Sequence, residues 1–204
     1  MGAVVALETL LDARSVWRGR TTPATGTCQS TGHPGLDDLL PQRGWPERAL
    51  TEILHPADGV GELSVVLPTL ARLTQAQQRV ILIAPPYSVH APGWAYAGIS
   101  LPWLQVVAAG PREALWAAEQ CLRSAACAAV LCWPATADDR ALRRLQVAAE
   151  TGQCLGFAFR DAKHARNPSP AALRLQLDAS RCVRVLKCRG GMAPARPIAL
   201  ASGH

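Results

Sequence analysis

Five short apolar runs constrain this chain more than any other feature: Ala49–Leu54, Arg79–Ala84, Leu104–Ala108, Ala128–Cys132 and Cys154–Phe159. Each is too short for a buried helix and carries no polar alternation, as expected of a strand covered on both faces. Helix-period segments alternate with them, at Gly61–Thr74, Arg112–Ser124 and Asp138–Thr151. Such alternation predicts an α/β fold, a mostly parallel twisted sheet with helices on both faces. Pro68 inside the first of these segments removes a backbone donor, so that helix is expected to kink or divide. A shorter helix carrying Trp94 and Tyr96 is expected to end at Gly98. Beyond Phe159 the pattern changes. Residues 160–170 lack periodicity and read as an exposed loop, whereas Ala172–Leu177 and Cys182–Lys187 alternate apolar with polar residues. That is the pattern of a half-exposed antiparallel hairpin, whose polar face would show Arg174, Gln176, Arg184 and Lys187 together.

With 204 residues, 49% of them hydrophobic and 18% charged, the chain can bury one substantial core. Val4–Trp17 has a helical apolar stripe, and Gly19–Gly35 is rich in Thr, Gly, Pro and Ser. The expected division is an N-terminal helix and linker over 1–28 and one domain over 29–204. No apolar run is long enough to span a membrane, and the N-terminus lacks a basic flank and cleavage signal, so a cytoplasmic protein is expected. The seven cysteines, at positions 28, 121, 127, 132, 154, 182 and 188, form no C-x-x-C and read as reduced core residues. His33, His55, His90 and His164 have no carboxylate or cysteine at metal-ligand spacing, and no serine sits in a nucleophile elbow. Neither a metal nor another cofactor is expected.

Charge is unevenly placed. Residues 1–159 hold 12 basic and 13 acidic side chains, whereas residues 160–204 hold 9 basic against Asp161 and Asp178. A cationic C-terminal quarter points to contact with DNA or an acidic partner. Candidate residues there are Arg160, Arg166, Arg174, Arg184, Lys187 and Arg189. Trp94 and Trp103 join them, on a connection expected to rise from the strand ends where open sheets bind ligands. Trp17, Trp116 and Trp133 are expected in the core or at a helix–sheet seam.

The run Ala49–Leu54 enters a turn, His55-Pro-Ala-Asp58-Gly59-Val-Gly61-Glu62, from which a helical pattern leaves. This is the layout of a phosphate-binding loop without its chemistry. A working loop places Lys and then Ser or Thr after the last glycine, to neutralise phosphate and to hold magnesium. Glu62 and Leu63 stand there instead. A carboxylate ~4 Å from phosphate exchanges about 4 kcal/mol of attraction for similar repulsion at an effective dielectric near 20. The loop (His55, Asp58, Gly59, Gly61, Glu62) is therefore read as vestigial.

These residues carry a resemblance. Ser30-Thr-Gly-His-Pro-Gly-Leu-Asp37, Trp45-Pro46 and Ala49–Leu54 are similar to the entry of the RecA recombinase core. Ile83-Ala-Pro-Pro86, Pro92–Gly98, Gly61-Glu62 and Val185-Leu-Lys-Cys-Arg-Gly-Gly191 resemble ImuA, a RecA-like, SulA-related family. The resemblance implies a RecA-like core. It puts Glu62 or Gly61 at the position of the phosphate-loop lysine, Pro86 at that of the water-orienting carboxylate and Cys132 at that of the magnesium-linked aspartate. Positioning, metal and charge neutralisation are what a protein contributes to phosphoryl transfer, so no enzyme activity is expected. The implied role is that of a non-catalytic adaptor in SOS-induced translesion DNA synthesis. It would recruit the pseudo-polymerase ImuB and an error-prone polymerase, with RecA as a further partner, the nucleoid as its place of action after DNA damage and the N-terminal helix as a docking element. The alternative is a SulA-type division inhibitor that binds FtsZ, since that family shares Ile83-Ala-Pro-Pro86. The long cationic C-terminal extension favours the adaptor.

Overall fold

The five apolar runs do form strands, and they form the parallel part of one sheet. In a computed structural model, which describes residues 29–194 and 196–200, they are β1 (Leu50–His55), β2 (Val80–Ile83), β3 (Leu104–Val107), β4 (Ala129–Cys132) and β5 (Leu155–Asp161). β6 (Leu173–Leu177), β7 (Cys182–Cys188) and β8 (Ile198–Ala199) complete the order β3-β2-β4-β5-β1-β6-β7-β8. All pairs from β3 to β6 are parallel, and β6-β7 and β7-β8 are antiparallel. The expected N-terminal helix and linker lie outside the described residues.

Two apolar layers cover the sheet. On one face, α1 (Pro34–Leu39) and α2 (Leu67–Gln75) bring Leu36, Leu70 and Leu73 onto Ile53, Phe157 and Phe159. Trp45 fills this layer, its ring edge-on to Phe157 at 5.0 Å and its indole N–H donating to Thr69 Oγ1 at 2.8 Å. On the other face, α4 (Pro111–Arg123) and α5 (Asp139–Gly152) pack Ala118, Leu122, Leu142 and Leu145 on Leu50, Ile83 and Val130. α3 (Ala91–Tyr96) belongs to the first layer through Trp94. β1, β2 and β4 are buried throughout, whereas β3, at the sheet edge, is partly exposed.

Local chemistry sets the element ends. Pro68 divides its segment as expected: a 3₁₀ helix covers Glu62–Val65, and α2 then starts with the proline in its first turn, where no N–H is needed. Asp138 caps α5 by accepting from the Ala141 amide at 2.7 Å. In the hairpin, Arg174 opposes Lys187 but Leu175 opposes Val185, so Leu186 is an extra residue that bulges out. Without that bulge Arg184 and Lys187 would lie on opposite faces.

Two expectations need correction. Trp116 is not a core residue: it is 61% exposed, because α4 buries Ala118 and Leu122 and Trp116 lies about 200° around the helix from Ala118. Residues 160–170 are not simply an aperiodic loop, since β5 extends to Asp161 and a 3₁₀ helix covers Ala162–Arg166. Among the described residues, no helix is long and apolar enough to cross a membrane.

Candidate functional site

The loop that follows β1 is closed by its own carboxylate. Gly59 and Gly61 adopt φ values of +80° and +95°, which turn the chain sharply into the 3₁₀ helix. The buried Glu62 side chain folds back, and its Oε2 accepts from the Gly59 amide at 3.1 Å. An amide that would face a phosphate in a working loop thus has an internal anion as partner. His55 is also buried, its Nδ1 3.0 Å from the Ala57 carbonyl and 3.9 Å from the Asp58 carboxylate. Arg181, in the turn between β6 and β7, reaches over the loop from the other side: a methyl group on Gly61 would sit 3.2 Å from its Nε.

Beside this loop, the C-terminal ends of the parallel strands open into a groove of about 1030 Å³. Its floor is Trp133 stacked on Phe159, with centroids 5.1 Å apart and planes 16° from parallel. Pro85, Pro86, Val106 and Pro111 form its walls, and Tyr87, 68% exposed, stands at the rim. The Trp133 indole N–H is buried without a hydrogen-bond partner. Of the groove's charged lining, Lys163 pairs with Asp161 at 3.2 Å and Arg160 with Glu52 at 2.6 Å, and the Asp58 carboxylate lies 3.9 Å from His55 Nδ1. The groove is therefore apolar and close to neutral, suited to uncharged or apolar groups rather than phosphate.

The positions that the resemblance aligns with catalytic carboxylates hold none. Pro86 offers only a ring to the groove. Cys132 is buried, its thiol 3.6 Å from the Phe157 carbonyl, and burial pushes its pKa up to about 12. A neutral, enclosed thiol has neither the charge nor the hard oxygen donors that magnesium requires.

The structure divides the basic candidates. Arg160 and Arg174 are not exposed cations; both are buried around Glu52, which has no exposed surface. Arg160 donates to Glu52 Oε1 and Arg174 to Oε2, each at 2.6 Å. Further guanidinium donors bind backbone carbonyls, Ala137 for Arg160 and His164, Ala165 and Asn167 for Arg174, while Arg160 Nε is buried without a partner. The triad thus ties the 160–167 segment to the sheet. Lys187 donates to the Ser169 carbonyl at 2.7 Å, and burial lowers its pKa, helped by the neighbouring charges of Arg174 and Arg189. Arg189 pairs with Glu150 at 3.0 Å. Among the described residues, Arg166 and Arg184 are the two basic candidates left exposed and without a charged or hydrogen-bonding partner.

The two tryptophans separate. Trp94 packs partly buried against the core. Trp103 precedes β3 and lines a smaller cleft of about 510 Å³ with Arg48 and Arg79, at the N-terminal end of the strands, so it is not near the strand ends that hold the groove. Sequence reasoning missed Glu52, although a lone carboxylate inside a run destined for a central strand signals a buried cationic partner. It also missed Arg181 and Tyr87, which carry no local signal of their positions.

No protein-family model and no curated protein matches this chain; among solved structures, it is similar to SulA from Pseudomonas aeruginosa, at 25% identity and a TM-score of 0.47, over 54% of this chain and 96% of that one.

Proposed function

We propose that this chain is a non-catalytic adaptor of damage-induced translesion synthesis, and that it uses the apolar groove at its strand ends to hold a partner of the ImuB, RecA and error-prone polymerase set. The observation that carries this reading is the Glu62–Gly59 contact: the amide that would cradle phosphate is already engaged by a carboxylate that repels phosphate. A buried Cys132 and a proline at 86 stand where the resemblance places the groups that would hold magnesium and orient water. A neutral groove floored by stacked aromatic rings is instead suited to the apolar side chains that dominate protein interfaces. The resemblance of Ile83-Ala-Pro-Pro86 and Val185–Gly191 to ImuA supplies the pathway, and β6 to β8 give the basic extension an ordered place in the sheet.

The test is co-purification of the tagged full chain with ImuB, RecA and FtsZ in parallel. Capture of ImuB that is lost in the groove variant Ala108→Trp is the expected result. Capture of FtsZ alone would transfer the chain to the division-inhibitor reading, and saturable binding of a fluorescent ATP analogue would remove the adaptor reading.

A further inference from the structure

A cleft at the opposite end of the sheet holds chemistry that the adaptor reading does not use. Cys127 lies at its lining, in the turn that leads into β4, and Cys154 lies directly behind, in the turn that leads into β5. Their sulfurs are 3.8 Å apart. We infer that Cys127 and Cys154 are a modification site, a dithiol that a hydroperoxide converts into an intramolecular disulfide.

Geometry carries the inference. β4 and β5 are neighbours whose paired register begins at Ala129 and Leu155, so both cysteines precede the ladder and move without breaking it. Closing 3.8 Å to the disulfide length of about 2.05 Å asks each sulfur to shift by about 0.9 Å. The two turns contain residues in left-handed conformations, Ala125 at φ +55° and Gln153 at φ +57°, and both residues also line the cleft. Cys127 is 7% exposed and opens on the cleft, whereas Cys154 has no exposed surface, so an oxidant meets Cys127 first.

The local environment assigns the same order. A hydrogen bond from Cys154 lowers the Cys127 pKa below its ordinary value, with Ser124 and the Arg79 charge acting in the same direction against burial. That bond raises the pKa of Cys154, and burial raises it further. Cys127 is the better thiolate and Cys154 the resolving thiol. In the first step the Cys127 thiolate attacks one oxygen of the hydroperoxide; the O–O bond breaks, a sulfenic acid forms and the alcohol or water leaves. In the second, Cys154 sulfur attacks Cys127 sulfur, the S–O bond breaks, and the hydroxyl leaves as water with the Cys154 proton. Two thiols are oxidised and one peroxide is reduced, so the exchange balances. Burial raises the pKa of three other thiols, Cys132, Cys121 and Cys188.

The inference is independent of the proposed function, and its test uses the purified full chain with hydrogen peroxide. After quenching and alkylation in denaturant, peptide mass mapping is expected to show residues 127 and 154 joined, with the mass of two hydrogens lost and both thiols restored by reductant. The yield is expected not to change with protein concentration. With dimedone present, Cys154→Ser is expected to carry the adduct on Cys127; should that variant not fold, the map of the unmodified sequence decides alone. A Cys127–Cys121 link, intermolecular links only, or unchanged labelling of both thiols would each overturn the assignment.

Discussion

Glu52 sits on a central strand with no exposed surface, held between two guanidinium groups that are themselves almost fully buried. Removing the carboxylate leaves two buried cations facing each other, so Glu52→Ala is expected to lower stability by about 3–5 kcal/mol in denaturant unfolding. A loss below about 1 kcal/mol would mean that the arginines find other partners. Replacing all three residues with apolar ones of similar volume should cost far less, because the desolvation of three charges disappears with them. His164 reports on the same region. Burial lowers its pKa first, and the Arg160 and Lys163 charges lower it further. The unfolded chain therefore takes up a proton that the folded chain resists, and stability is present above the ordinary histidine pKa of about 6.5 and lost as pH falls toward the depressed value. The urea midpoint between pH 7.5 and 5.5 is expected to drop more for the natural sequence than for His164→Gln.

The elements meet most closely where α5 ends. A Cβ on Gly152 would stand 1.8 Å from the Leu122 carbonyl of α4, so the two helix ends approach at a distance only glycine permits. Gly152→Ala must push them apart, with an expected cost of at least about 1–3 kcal/mol and a lower thermal midpoint. The basic C-terminal region, from the 3₁₀ helix at 162–166 to β7, gives a contrasting case. Arg166 and Arg184 are exposed and unpartnered, so Arg166→Glu with Arg184→Glu should leave stability within about 0.5 kcal/mol. If this edge holds DNA, the double variant is expected to lower affinity for single-stranded DNA in a salt-dependent manner, read by fluorescence anisotropy. Equal anisotropy curves would remove DNA from this edge. The helix-forming segments and strand runs were legible from periodicity and from Pro68, because those signals act within one or two turns of chain. The bulge at Leu186 and the short β8 were not, since both are set by what the partner strand offers.

For the whole molecule, the two ends of the sheet carry different chemistry: the loop after β1 and the apolar groove lie at one, the thiol cleft at the other. On the adaptor reading, a single substitution in the loop should not create an ATPase. Glu62→Lys is expected to give no ATP turnover in a phosphate-release assay, because Pro86 and the enclosed Cys132 still supply neither base nor metal site. The sequence by itself determined the strand-and-helix alternation, the parallel sheet it implies and the carboxylate that follows the last glycine of the loop, since each depends on residue type and near-neighbour spacing. Only the tertiary structure decided that Arg160 and Arg174 turn inward, because their common partner Glu52 lies 108 and 122 residues away, and burying an unpaired carboxylate costs more than surrendering two surface cations.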